Sequence, residues 1–389
     1  MTTTVPAYTL PEKYELFRHN VRELANEHIA PYAAEADETE SFPEHAYQAL
    51  VDGKMHAPHI PAEYGGEAAD ALATAILVEE IARCCASSAL IPNVNKLATM
   101  PLLLAGDEQL KQTYLPPVAC DGALFAYALS ERDAGSDPLN MQTTAERDGD
   151  CWVINGSKRW ITHAGLAQCY TVMAITDPSA GSGRVSAFVV ESHDAGLSVG
   201  PPEMKMGLRG SPTCELYFSS LSIPANRMIG KEGTGLATAL RALDHTRVTI
   251  AAQAVGIAQG ALDYVLPYVA ERKQFGSAIA EFQGVQFMLA DMAAKLEAAR
   301  QLTYAAAARS DQDSPDMKFY SAAAKCIASD TAMQITTDAV QLLGGNGYIR
   351  DHPIERMMRD AKVTQIYEGT NQIQRLVIAR HLLTRTVDS

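Results

Sequence analysis

CWVINGSKRWIT, residues Cys151–Thr162, is the stretch on which the fold turns. Valine, isoleucine, threonine and tryptophan crowd it, side chains that suit a pleated surface better than a helix. Asn155-Gly156 in its middle is the dipeptide of a two-residue β-hairpin, whose central residues need positive φ. The stretch therefore reads as two short strands joined by that turn. Further β-rich runs follow, YTVMAIT, VSAFVVES and ELYFSSLSI, separated by turn residues such as DPSAGSG. With no helix pattern between them, this spacing predicts an antiparallel barrel or sandwich.

Outward on both sides the period changes. In YELFRHNVRELANEH, Tyr14, Phe17, Val21 and Leu24 step by three and four and mark one helix face. Helices are predicted over Ala71–Ala86 and Val94–Ala105, with Pro116-Pro117 breaking the pattern. Beyond Gly235 the chain is helical again. Val285, Leu289, Met292, Leu296 and Ala299 repeat the step, KLEAARQLTYAAAA favours a long bundle helix, and QLLGGNGY interrupts two helices. The expectation is an α+β chain of three domains: helical over 1–122, a central antiparallel β-barrel or sandwich over 123–234, and a C-terminal four-helix bundle over 235–389.

Bulk properties exclude several functions. Lys plus Arg number 32 against 46 Asp plus Glu, a net charge of −14, which argues against nucleic acid. No run approaches the ~18 apolar residues of a membrane span, and the start lacks a targeting pattern. The 7 cysteines contain no C-x-x-C pair. They read as reduced thiols of a cytoplasmic protein, with no metal site.

Chemistry concentrates in YALSERDAGSD (Tyr127–Asp137), RWITHAG (Arg159–Gly165), LDHTR (Leu243–Arg247), ERKQFG (Glu271–Gly276), QLLGGNGY (Gln341–Tyr348) and IYEGTNQ (Ile366–Gln372). Each alone also reads as an ordinary loop or a solvated helix face. Together and in this order they resemble the acyl-CoA dehydrogenase family, over essentially the whole chain and nearest its short- and medium-chain branch.

The resemblance implies a bound FAD. Tyr127, Leu129, Ser130, Gly135 and Ser136 resemble the loop that takes the flavin ring and pyrophosphate, Ser136 also touching the substrate. Trp160, Ile161 and Thr162 resemble the strand against the flavin, with Trp160 between flavin and electron acceptor. Arg272, Phe275, Gln283, Gln341, Leu342, Gly344 and Gly345 resemble positions that grip a neighbouring subunit's cofactor. Thr370, Asn371 and Gln372 resemble contacts to the subunit's own adenosine side. Asp244 and Arg247 resemble the pair that holds a pantetheine arm, shared by coenzyme A and acyl carrier protein. Implied partners are an acyl thioester, an electron-transfer flavoprotein and further copies of the chain, as a homotetramer. The sequence departs from the family pattern at Arg132-Asp133 and at His163.

Glu368 lies between Tyr367 and Gly369. Removing hydrogens from the α and β carbons of a thioester needs a base for the α-proton, a hydride acceptor and stabilisation of the enolate-like oxygen. A carboxylate in an apolar pocket has its neutral form favoured and becomes a stronger base. Glu368 matches the family's base, with Gly369 leaving room for the thioester. The resemblance also implies that the Glu368 N–H and a ribityl hydroxyl polarise the carbonyl. The other base position known in the family is here Thr246, which cannot serve. The competing readings are an acyl-carrier-protein dehydrogenase, an acyl-CoA oxidase and a non-catalytic flavin-binding scaffold.

Overall fold

The computed structural model describes residues 10–385. Six helices come first: α1 (Glu12–His28), α2 (Ala33–Glu38), α3 (Glu44–Asp52), α4 (Ala71–Cys84), α5 (Leu90–Ala105) and α6 (Glu108–Cys120). Asp70 caps α4 by accepting from Ala73 N at 2.7 Å, and Asp107 caps α6 by accepting from Leu110 N at 2.8 Å. Pro116 and Pro117 do not end a helix, as the sequence led us to expect, but lie inside α6. The carbonyls they leave without donors belong to Gln112 and Thr113, both exposed residues, so the lost bonds do not strand a buried segment.

The strands follow: β1 (Phe125–Ala128), β2 (Thr144–Asp148), β3 (Cys151–Thr162), β4 (Cys169–Ile175), β5 (Val185–Glu191), β6 (Leu197–Val199), β7 (Thr213–Pro224) and β8 (Met228–Ile229). They run in the order β6-β7-β3-β2-β4-β5-β8, with β1 on β4. The sheet is mainly antiparallel, as expected. It is not closed into a barrel, and β4 runs parallel to both β1 and β2.

The expected hairpin is displaced. CWVINGSKRWIT is one strand, and the tight turn lies before it, at Gly149-Asp150, where Asp148 pairs with Cys151. Asn155-Gly156 instead forms an irregularity against β7, whose register shifts between Ile154 and Gly156. Gly156 has φ +138°, and a Cβ there would lie 2.7 Å from Thr143 Cα, so the position demands glycine. Strand partners on both sides of β3 outweigh the local turn signal.

The remaining helices are α7 (Gly235–Glu271), α8 (Gln283–Asp311), α9 (Met317–Leu343), α10 (Ile354–Thr364) and α11 (Asn371–Arg385). They form a bundle led by the three long helices α7, α8 and α9. Gly256 and Gly260 let α7 approach α4 closely, since a Cβ at either would meet an α4 carbonyl oxygen at 2.2 Å. One apolar core runs through helices and sheet alike, with Val21, Leu77, Trp152, Phe188, Val255 and Ala332 in the same cluster.

Two buried carboxylates on α4 bind the first helices to the bundle. Glu80 accepts both Nε and Nη2 of Arg22, each at 2.8 Å. Glu79 accepts from Arg300 Nε at 2.8 Å and from the Tyr304 hydroxyl at 2.5 Å. Helix α5 is tied to the sheet in turn. Its Asn95 accepts from Phe125 N at 3.0 Å, and the Ala98 carbonyl accepts from Thr171 at 2.7 Å.

Candidate active site

A cavity of about 600 Å³ opens where α5, α7, the sheet and the segment before α11 meet. Leu90, Asn93, Val94 and Leu97 supply its α5 wall, and Leu240, Leu243, Arg247 and Ile250 its α7 wall. Both sets follow the three-and-four spacing of a single helix face.

Glu368 reaches the cavity from a tight loop between α10 and α11, with φ +51° at Glu368 and +90° at Gly369. Its N–H joins no backbone hydrogen bond among the described residues. The loop is clamped from behind. Gln374 Nε2 donates to the carbonyls of Glu368 and Gly369 at 3.1 and 2.8 Å, and Lys325 Nζ donates to Gly369 O and Asn371 Oδ1 at 2.9 Å each. The carboxylate accepts a 2.7 Å hydrogen bond from the Thr246 hydroxyl. Thr246, at the alternative base position, thus holds the Glu368 carboxylate in place.

Burial pushes the Glu368 carboxyl up to about 7, although the Thr246 hydroxyl and the charges of Arg247, Lys325 and Lys96 pull the other way. Burial equally lowers Lys325, to about 8, against the opposing pull of Glu368.

The opposite wall is the loop after β1, which carries Leu129, Ser130, Gly135 and Ser136. Its anchor is Lys158, fully buried on β3. Lys158 Nζ donates to Leu129 O at 3.0 Å and Glu131 Oε1 at 2.8 Å, and Glu131 accepts from the N–H groups of Gln142 and Thr143 at 2.6 and 3.0 Å. Burial works to raise Glu131, but Lys158 and these N–H groups hold it below the ordinary carboxylate range. Beside the loop, the register of β3 shifts again between Lys158 and Ile161. Trp160 stands in this bulge with φ +59°, half exposed at the cavity rim under the Arg159 guanidinium.

The structure brings Tyr127, Leu129, Ser130, Gly135, Ser136, Trp160, Ile161, Thr162, Arg247, Glu368, Gly369 and Thr370 into the lining of one cavity. Asp244 pairs with Arg247 just outside that lining. Asn371 is buried, its amide engaged by Lys325, Ser329 and Asp330, and Gln372 is exposed.

Arg272, Phe275, Gln283, Gln341, Leu342, Gly344 and Gly345 do not reach this cavity. They gather at the far end of α7, where Arg272 N donates to Tyr268 O and the Tyr268 hydroxyl to Leu343 O. Phe275 is 98% exposed there, and Tyr348 85%.

Sequence reasoning missed Lys158 and Lys325, because a lone lysine reads as solvated. Position parity would have found the first: Trp152, Ile154 and Lys158 share the inward face of β3. Helix spacing would have found the second, since Ala322, Lys325, Ser329, Ala332 and Thr336 form a buried stripe.

The walls fit a flavin. The rim supplies an aromatic face in Trp160, and the buried Tyr127 hydroxyl beside the cavity has no partner among the described residues. The ionisable groups of the walls are the Glu368 carboxyl, Arg159, Arg247, Lys205 and the hydroxyls of Tyr127 and Tyr367, and no cluster of metal ligands occurs among the described residues.

Family models described as the acyl-CoA dehydrogenase N-terminal, middle and C-terminal domains match residues 11–121, 126–221 and 233–383. The chain is 58% identical over 376 residues to the probable acyl-CoA dehydrogenase FadE25 of Mycobacterium tuberculosis, covering 97% of each. It is 48% identical to the cyclohex-1-ene-1-carbonyl-CoA dehydrogenase of Geobacter metallireducens, covering 96% of this chain and 99% of that one. The butyryl-CoA dehydrogenase of Megasphaera elsdenii superposes with a TM-score of 0.93 at 38% identity, over 97% and 99% of the two chains. An ordered set of loop, bulged strand and clamped carboxylate, matched along its whole length, places this chain in the acyl-CoA dehydrogenase family of oxidoreductases.

Proposed function

We propose that the protein carries out FAD-dependent α,β-dehydrogenation of a short or medium acyl thioester, turning acyl-CoA into trans-2-enoyl-CoA. The observation that supports this most is a single one: Glu368, its carboxyl lifted to about 7, faces a largely apolar cavity and is held by Thr246. When bound, FAD supplies the acceptor of the β-hydride. Glu368 takes the α-proton on its carboxylate, and its free N–H is placed to receive the carbonyl oxygen as negative charge develops there. Ser130, Ser136, Trp160 and Thr162 hold the cofactor, and Arg247 with Asp244 holds the pantetheine arm. Coenzyme A and acyl carrier protein share that arm, so both carriers belong in the test.

The exposed group at the end of α7, with Arg272, Phe275, Gln283, Gly344 and Gly345, suits completion of a second subunit's cofactor site. It supports a homotetramer; each subunit is read as units 1–122, 123–234 and 235–389, and the free cysteines suit a cytoplasmic protein. Electrons leave past Trp160 to an electron-transfer flavoprotein. No helix among the described residues is long and apolar enough to cross a membrane.

The test is a single turnover without oxygen. Saturated acyl-CoA or acyl-carrier-protein thioesters should bleach the yellow enzyme, electron-transfer flavoprotein should restore the colour quickly, and air slowly. A flavin that no thioester bleaches overturns the reading, and stoichiometric peroxide in air would identify an oxidase. The pH dependence follows from the base. Only ionised Glu368 accepts a proton, so bleaching should fall about tenfold per pH unit below the carboxyl pKa of about 7 and level off above it. A rate that is flat through neutrality would remove Glu368 from that role.

A further inference from the structure

Arg159, Arg247 and Lys205 are the cations of the cavity lining, and the two arginines are engaged. Arg247 pairs with Asp244. Arg159 meets Glu203 at 3.1 Å and Glu215 at 2.9 Å, and lies over the Trp160 ring. Lys205 differs. It is half-buried, and its ammonium has no hydrogen-bond or ion-pair partner among the described residues. The acids whose charge it feels are Glu40 and Glu203, and each already pairs with an arginine, Glu40 with Arg209 at 3.6 Å and Glu203 with Arg159. Burial works against the Lys205 charge and lowers its pKa, a cost that no direct partner offsets.

The backbone around Lys205 is fixed on both sides. Glu203 N donates to Thr213 O at 2.8 Å, Arg209 Nε to the Lys205 carbonyl at 3.2 Å, and Leu208 N to the Asp360 carboxylate at 2.6 Å. Thr213 pairs in register with Thr162 of β3. Lys205 therefore enters the lining beside the strand whose Trp160 and Thr162 hold the cofactor in the reading above. A half-buried ammonium without an acceptor asks for one from whatever fills that side of the cavity.

The charge balance of the reaction says what the cation would do there. A hydride that leaves the β-carbon carries two electrons and one proton, so the ring that receives it gains one negative charge. A nearby positive charge favours that form over the neutral one.

We propose that the Lys205 ammonium stands against the bound flavin and raises its reduction potential, so that the ring accepts hydride more readily. This rests on the dehydrogenase reading above and adds to it the residue that sets its driving force.

The test needs no thioester. The FAD-loaded protein and its Lys205→Met and Lys205→Arg variants are each equilibrated, without oxygen, with a reference dye in mildly alkaline buffer, and the midpoint potential is read from the two spectra. Lys205→Met should favour the oxidised flavin about tenfold more than the parent, a potential about 30 mV more negative for two electrons, and Lys205→Arg should stay near the parent value. A shift in Lys205→Met under about 10 mV, or an equal fall in both variants, overturns the inference. Where Lys205→Met does not retain FAD, Lys205→Gln joins the comparison. Flavin kept by the arginine variant and lost by both neutral ones supports the contact, and loss from all three overturns it. A parent protein that takes up no FAD brings down the dehydrogenase reading as well, whereas an unshifted potential in an enzyme that thioesters bleach removes this inference alone.

Discussion

Glu368→Gln is expected to bind FAD and thioester normally and to lose flavin bleaching by roughly two to four orders of magnitude. Glutamine keeps the volume and can still accept from the Thr246 hydroxyl, so the loop clamped by Lys325 and Gln374 stays in place. Only the proton acceptor is gone. The same variant should be more stable than the parent at alkaline pH. With a folded pKa of about 7 against an ordinary 4.5, the folded state holds its proton more tightly than the unfolded chain. Stability contributed by this group is therefore present below about 4.5 and lost as pH rises through about 7. The full difference is of order 3 kcal/mol, so the variant's gain should be largest above neutrality and vanish toward acid. Near-normal bleaching, or melting curves displaced equally at every pH, would contradict the assignment.

Lys158→Met should be the most damaging change after substitution of Glu368. It strands the Glu131 carboxylate with two backbone N–H donors and no cation, and breaking a buried pair in this way costs roughly 3–5 kcal/mol. The loop bearing Ser130 and Ser136 loses its anchor at Leu129 O, so flavin should be released on gel filtration even where the chain remains folded. Adding Glu131→Gln to Lys158→Met should recover part of the stability, because no buried charge then lacks a partner, without restoring flavin retention. Urea midpoints and the flavin-to-protein absorbance ratio measure both effects. A loss within about 1 kcal/mol, the scale of a surface pair, would mean that water reaches Glu131.

The order of helices, strands and helices was legible because it rests on period, and period survives any detail of packing. Glu368 was legible because a carboxylate between an aromatic ring and a glycine has few bland explanations once the flanking motifs align. What escaped was set by partners distant in sequence. Asn155-Gly156 looks like a turn until Thr143 and β7 are seen pressing on it from either side. Pro116-Pro117 looks like a stop until the residues whose carbonyls it frees, Gln112 and Thr113, prove to be exposed. Lys158 and Lys325 look solvated until two carbonyls, a carboxylate and an amide close over them. The cluster at the end of α7 matched a motif just as well as the cavity residues did, yet one chain alone leaves it on the outside.

The two carboxylates of α4 bear on how the molecule comes apart. Glu80 grips α1 and Glu79 grips α8, while α5, the next helix, forms a cavity wall and holds the sheet through Asn95 and Ala98. No seam free of buried charge or shared apolar core therefore separates helices from sheet, and the amides of α4, α5 and α7 should exchange with deuterium only through global unfolding. Opening a cleft between domains would rupture the same contacts, which makes a breathing motion of that kind rare. A thioester would then enter past the half-exposed Trp160 at the rim, between walls that these contacts hold in place.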